Sequence, residues 1–441
     1  MNLKEKILKG ISWTIIGTLI TQVTTFILVF FMARILGNVN YGKFNIILST
    51  VVSLSTIAGA GLGITATKFI AQYKEDYSKK EKLGKILGIS YFTANILSIG
   101  FTLILFILSD YIAMKIFKDK DLIVQLKYAS IYVFFFTVNG YQVGALTGFE
   151  RFNDIAKIYA LKGIINMLSG FSLIYLWGIS GAAASMVVTA ISTYLYSRML
   201  LNKQMKIYNL KFILKGSLEE LNILLIFTLP AALVGIVGAI ATWFSNQLLV
   251  NNSYDRFVSM SVFSLSSTFK ALIIFFPAII ARVISPILVS MKFTDYNKYK
   301  KLFNLNLIIN ASVTTIMAII VIVINPIILK IVGKGYDGIQ PVIVLLGLSA
   351  IVETVSSCLF QEIYIYNKIW HNLFCTIIWS IILVSLTGLF AKNLGAISLA
   401  IAYLSANVFQ MLFYLIVLIR NRKKTHLVSE LRSEQIEQVI N

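Results

Sequence analysis

The chain has 441 residues, of which 58% are apolar and only 13% are charged, with a formal net charge of +20. Soluble proteins average about 25% charged residues, and apolar runs of span length recur here from end to end. A soluble core could not hide so many, and few polar stretches remain for a catalytic domain outside a membrane. The positive charge sits in short loops between the apolar runs, where anionic headgroups act on it, so membrane lipid rather than nucleic acid explains it.

The apolar runs predict about twelve transmembrane α-helices. Ile11–Ile35, Phe44–Thr67, Ile86–Leu108, Leu126–Phe149, Ile158–Leu176 and Gly181–Leu201 form a first half. Leu221–Leu249, Phe257–Ile284, Leu302–Ile324, Ile339–Tyr364, Trp370–Phe390 and Leu394–Ile419 form a second. The first run is too long for a signal-peptide core and reads as an uncleaved span. Cys358 and Cys375 fall inside spans, and His371 and His426 have no ligand spacing around them, so neither a disulfide framework nor a metal cluster is expected.

Basic residues alternate in register with the spans. One set of connections, including Lys4, Lys74, Lys85, Lys203, Lys211, Lys300 and Arg422, carries a roughly threefold excess over the other, which holds Arg34, Lys43, Lys118 and Lys392. The positive-inside rule then places both termini in the cytoplasm of a cell-membrane protein. Shifting the first half by about 213 positions lays Leu36, Tyr41 and Phe44 over Leu249, Tyr254 and Phe257, and Gly181-Ala182 matches Gly395-Ala396. Two parallel repeats follow: a lobe over 1–202, an interfacial linker over 203–220, a second lobe over 221–420 and a cytoplasmic tail over 421–441.

Function must then lie in polar groups at membrane depth. On a helical wheel Thr14, Thr18, Thr21 and Thr25 align in the first span with Gln22 beside them, and Ser49, Ser53, Thr56 and Thr67 align in the second. Thr228, Thr242 and Asn246 do so in the seventh, Ser259, Ser266, Ser267 and Lys270 in the eighth, and Ser349, Glu353, Ser356 and Ser357 in the tenth. Small polar residues also serve plain helix packing; five stripes on repeat-related helices fit a wet cleft between lobes better. Lys270 costs roughly 2.5–3.5 kcal/mol to insert near a helix centre, so it needs either Glu353, an ion partner in the same lobe, or an anionic substrate. Lys68 and Arg282 end equivalent helices on the cytoplasmic side, where boundary charges are ordinary and could also gather headgroups at a mouth. All five prolines lie in the second half. Pro230 and Pro277 are placed to let that half bend.

Ala33–Phe44 (ARILGNVNYGKF), Gly61-Leu62-Gly63, Ala66–Tyr73 (ATKFIAQY), Leu146–Phe152 (LTGFERF) and Trp177–Ser185 (WGISGAAAS) resemble the Wzx-type polysaccharide flippases of the multidrug/oligosaccharidyl-lipid/polysaccharide (MOP) exporter superfamily. The resemblance implies an all-α integral membrane protein with two six-helix lobes in a MATE-like V around a cationic lumen. It implies alternating access that moves an undecaprenyl-pyrophosphate-linked oligosaccharide, or a related polyprenyl-linked glycan, to the outer leaflet. Members place basic residues along the lumen; Lys270 is the match here, and no such charge lies deep in the first two spans. Hydroxyl and amide groups, among them Thr18, Gln22, Thr25, Ser53, Asn246 and Ser266, are therefore expected to contribute to binding. The alternatives are a MATE-type cation-coupled drug exporter, for which a buried carboxylate in the first lobe is missing, and a membrane enzyme, for which no large loop is present. No cofactor is expected. Coupling is open between protons and sodium, with Glu353 the group that could carry it. The expected partners are the glycan-lipid, bilayer lipids and polysaccharide assembly machinery, around a monomeric transporter.

Overall fold

The computed structural model describes residues 3–59, 61–220, 228–294, 296–333, 335–336, 338–365 and 369–440, with side chains over most of 15–420. Among these residues the chain is almost wholly helical and contains no strand. The helices are α1 (Leu3–Gly59), α2 (Leu62–Tyr73), α3 (Lys80–Tyr111), α4 (Leu122–Gly148), α5 (Phe152–Ile207) and α6 (Leu229–Asn252). They continue with α7 (Phe257–Thr294), α8 (Tyr296–Val332), α9 (Ile339–Ile365), α10 (Ile369–Leu394) and α11 (Ala396–Ile440).

Among the described residues ten helices are long and apolar enough to cross a membrane. Two of them, α1 and the 56-residue α5, are long enough at 1.5 Å per residue to cross twice, which brings the crossings to twelve. Each doubles back at one glycine outside helical geometry: Gly37 (φ 71°, ψ 170°) in α1 and Gly178 (φ 56°, ψ −130°) in α5. The protein is a multi-pass membrane protein.

Three boundaries differ from the sequence reading. The second span, expected as one helix over Phe44–Thr67, is broken: α1 stops at Gly59, and α2 starts after Gly61, which has φ 70° and ψ 5°. Glycines at 59, 61 and 63 lower helix propensity together, and only glycine takes that left-handed turn without strain. Helix α5 runs through Ile207, into the expected linker, and the remaining linker lies along α3, with Ile213 N–H donating to Gly84 O at 3.0 Å and Lys85 pairing with Glu219 at 3.3 Å. Helix α11 continues without a break to Ile440.

Packing divides along the membrane normal. Toward the lysine-poor face both lobes share one apolar core: Leu28, Met32, Tyr41 and Phe44 join Phe257, Phe263, Leu265 and Tyr336 in a single buried cluster. Toward the lysine-rich face the buried clusters are separate. One holds Leu62, Phe69, Leu87, Tyr141 and Leu201 of the first lobe, and the other holds Leu288, Tyr299, Phe303, Leu359 and Tyr414 of the second. Two lobes joined at one end with independent cores at the other make a V.

The joint is close. A Cβ on Gly42 would stand 1.8 Å from the carbonyl oxygen of Phe257 across the lobes. Asn38 Nδ2 donates to Gly335 O at 3.1 Å, Asn251 Nδ2 to Ile116 O at 2.7 Å, and the Tyr336 hydroxyl to Ala33 O at 3.3 Å. Lys43 sits at this end beside Asp119, 2.7 Å away. Burial alone would lower its ammonium, but hydrogen bonds to Asp119 and Asp121 outweigh that and hold it above the usual lysine range.

Candidate functional site

The separate cores leave a region where each lobe changes from shared to private packing, and the unusual polar residues of the spans collect there. In the second lobe Lys270 stands near the middle of α7 and Glu353 near the middle of α9. Lys270 Nζ lies 2.6 Å from Glu353 Oε2 and donates to Ser349 Oγ at 3.3 Å. Asn407 on α11 binds both partners of the lysine: its Nδ2 donates to Ser349 Oγ at 3.0 Å and to Glu353 Oε2 at 3.3 Å. Trp379 Nε1 on α10 in turn donates to Asn407 Oδ1 at 2.8 Å. The Tyr403 ring centroid is 5.1 Å from Lys270 Nζ, within cation–π range. Four helices thus hold one ion pair.

Exposure gives this cluster its meaning. The Lys270 side chain is 11% exposed and that of Glu353 is 42% exposed. A carboxylate at mid-span cannot stand half-exposed to hydrocarbon, because its solvation is too costly to lose there; it must border water. The pair therefore marks the wall of a hydrated space, with its ammonium held back in the lobe and its carboxylate forward.

The first lobe has its own lysine at depth. Lys162 lies ten residues into α5, with no carboxylate at ion-pair distance among the described residues; its ammonium sits 5.5 Å from the centroid of Phe136, midway along α4. Phe136 also lines a cavity of about 190 Å³ with Ser55, Gly59, Gly61 and Gly140, at the break between α1 and α2. The expected span Ile158–Leu176 puts Lys162 near its start; α5 begins earlier, at Phe152, which sets the lysine further into the helix.

The other expected site residues differ in exposure. Thr18, Gln22 and Thr25 are partly exposed on α1. Ser53, Asn246 and Ser266 are buried; Asn246 Nδ2 donates to Ser49 Oγ at 2.7 Å across the lobes, and the Ser266 hydroxyl bonds its own helix at Val262 O, 2.8 Å away. The stripes of the second and seventh spans therefore meet each other, an arrangement to which Trp243 Nε1 adds a bond to Thr50 Oγ1 at 3.0 Å. Lys68 is exposed, with its ammonium 5.3 Å from the Phe69 ring. The side chains of Arg282 and Pro230 lie outside the described residues, although the backbone places Pro230 in the first turn of α6. Pro277 is buried within α7. Asn407, Trp379 and Tyr403 were missed: Tyr403 and Asn407 share one face of α11 four residues apart, and an asparagine in a span was the available signal.

Residues 7–292 match the family described as "Polysaccharide biosynthesis protein". No curated protein matches the chain. Among solved structures, an inward-facing multidrug-resistance MATE family transporter of the MOP superfamily superposes with a TM-score of 0.75 at 17% identity, over 93% of this chain and 99% of that one. A MOP superfamily transporter from Pyrococcus furiosus, described as having a binding pocket of reversed polarity, gives 0.69 at 17% identity over 95% of each chain. An outward-facing MATE family transporter gives 0.67 at 18% identity, over 93% of this chain and 95% of that one. At such identities the likeness is one of fold.

Proposed function

The chain belongs to the polysaccharide biosynthesis protein family, and from that premise we propose that it flips a polyprenyl (undecaprenyl) pyrophosphate-linked oligosaccharide across the cytoplasmic membrane by alternating access. The half-exposed Glu353 carboxylate bound to Lys270 carries the reading: it places an exchangeable cation beside water at the depth a headgroup must pass. A diphosphate can take the place of Glu353 on Lys270, because both present paired anionic oxygens to one ammonium. Lys162 supplies a second cation in the other lobe, and the partly exposed Thr18, Gln22 and Thr25 meet the sugar. The lipid tail stays in the bilayer while the headgroup crosses the cleft. The lysine-rich face is cytoplasmic, and the lobes part and rejoin about the joint at Gly42 and Phe257.

The protein acts as a monomeric transporter without chemistry of its own, delivering its cargo to the assembly machinery outside. Reconstitution in proteoliposomes with a labelled polyprenyl-pyrophosphate glycan tests this: label should reach the opposite leaflet with the protein and remain behind with Lys270→Gln. Export of cationic drugs with no movement of glycan would favour the multidrug reading instead; sugar transfer by the purified protein would replace both with an enzyme.

A further inference from the structure

A cavity of about 410 Å³ opens at the lysine-poor end of the second lobe, between the turns that join α6 to α7, α8 to α9 and α10 to α11. Its lining includes Tyr254, Asp255, Ser259, Lys392 and Asn393, with Val262 among its apolar groups. Ser259 and Lys270 lie on the same helix about 16 Å apart along its axis, so this is a different place from the charge pair.

The same corner of the first lobe is packed shut. The shift of about 213 positions that lays Tyr254 over Tyr41 also lays Asp255 over Gly42 and Ser259 over Ile46. Tyr41 is 2% exposed and Ile46 is fully buried, while Gly42 abuts the Phe257 carbonyl in the joint. In the second lobe Tyr254 is 94% exposed. Asp255 and Lys392 are exposed too, and neither makes an ion pair among the described residues. Ser259 is buried, but a Cβ on Gly395 would stand 2.8 Å from its hydroxyl, so any side chain on the α10–α11 turn would crowd that group. A tyrosine at a membrane boundary is ordinary. One that shares a cavity with a carboxylate, an ammonium and an amide makes a recognition surface.

The donors here are the Lys392 ammonium, the Asn393 amide and the first-turn N–H groups of α11, which have no partners within their helix. The acceptors are the Asp255 carboxylate, the Ser259 hydroxyl and the Asn393 carbonyl. With one charge of each sign in the described lining, a phosphate drawn by Lys392 is repelled by Asp255. A zwitterionic lipid headgroup would answer both charges, yet it has no ring face for Tyr254 and no hydroxyl for Ser259. A sugar has both, and its hydroxyls donate as well as accept. We propose that this cavity binds roughly one or two sugar rings of a neutral glycan at the outer surface, a size in keeping with small-molecule sites of about 300–1,000 Å³. Asp255 and Asn393 take the hydroxyls, and the Tyr254 ring packs on the sugar's C–H face. The site goes beyond the flippase reading, because its sugar comes either from the delivered cargo or from glycan already outside.

The full-length protein in phosphatidylcholine nanodiscs, free of sugar-headed detergent, is titrated with glucose, galactose, rhamnose, N-acetylglucosamine and their disaccharides by saturation-transfer NMR. Saturable binding of at least one saccharide is expected, not displaced by pyrophosphate. It should weaken about fivefold or more in Tyr254→Ala and in Asp255→Ala and persist in Tyr254→Phe. Both positions are exposed, so these variants leave the packed core alone. No binding across the panel, or binding unchanged in both alanine variants, would overturn the site. Loss of saccharide binding in phosphatidylethanolamine nanodiscs would overturn it in favour of a lipid headgroup. In the proteoliposome assay, slower glycan movement by Tyr254→Ala traces the sugar to the cargo. Unchanged movement alongside lost saccharide binding traces it to glycan already outside, and either result upholds the site. Saccharide binding as described, with no glycan movement by the parent, sinks the flippase reading and leaves this one standing.

Discussion

The two lobes each carry a lysine at membrane depth and hold it by different means. In the second lobe four helices converge on Lys270, with Glu353 at 2.6 Å, Asn407 bracing the pair and Trp379 bracing Asn407. In the first lobe Lys162 rests on the face of Phe136, 5.5 Å away, with no carboxylate near among the described residues. An aromatic face is worth about 0.5–2 kcal/mol to a cation, less than a hydrogen-bonded carboxylate provides in the same setting. The backbone differs as well: the first lobe interrupts a span with glycines at 59 and 61, whereas the second carries Pro277 inside the unbroken helix α7. One lobe thus holds a braced charge pair, and the other a lysine on an aromatic face.

The largest expected effect tests whether the lobes share a joint at all. Gly42→Ala places a methyl group where the Phe257 carbonyl now stands, 1.8 Å away. Overpacking of that kind should cost about 3 kcal/mol and cut glycan movement sharply. Thermal unfolding of the purified protein, with the proteoliposome assay, reads both; near-parental values would show that the lobes do not need this contact.

Glu353→Ala probes the bracing in the second lobe. It strands Lys270, and the loss should be about 1–3 kcal/mol, below the range for fully buried pairs because the carboxylate is half exposed. Lys270→Met with Glu353→Leu should recover most of that stability, since neither charge is then left alone. A single variant as stable as the parent would mean that water, not Glu353, solvates the lysine.

Gly61→Ala tests the break in the first lobe. At φ 70° an alanine is strained, and a loss of about 1–2 kcal/mol is expected, seen as a lower unfolding temperature. No loss would imply that α1 and α2 can join into one continuous span.

Lys162→Met should have the smallest effect on folding and the most telling one. Removing a partly buried cation that has no carboxylate at ion-pair distance among the described residues should leave stability unchanged or raise it by up to about 1 kcal/mol, while lowering transport. A destabilisation equal to that of Glu353→Ala would erase the contrast between the lobes.

Much of this architecture was legible from residue order. The number of spans follows from solvation: a bilayer demands long apolar helices, and nothing else in the chain competes with that demand. Lys270 and Glu353 stood out for the same reason, since charge inside a span is costly wherever the span lies. The glycines at 59, 61 and 63 lie inside the expected span Phe44–Thr67, and the break they make there, where Thr228 meets Thr65 at 2.5 Å, was not legible.

Only the tertiary structure decided which polar faces look at each other. A helical wheel gives a residue's angle about its own axis and says nothing of the neighbour on that side. So the stripes carrying Ser49 and Asn246 proved to pair across the lobes, and Asn407 and Trp379, on two other helices, proved to complete the Lys270 cluster. Hydropathy selects the medium for each segment, one segment at a time. Partnership between segments depends on distances across the bundle, which are set only when all the helices have packed.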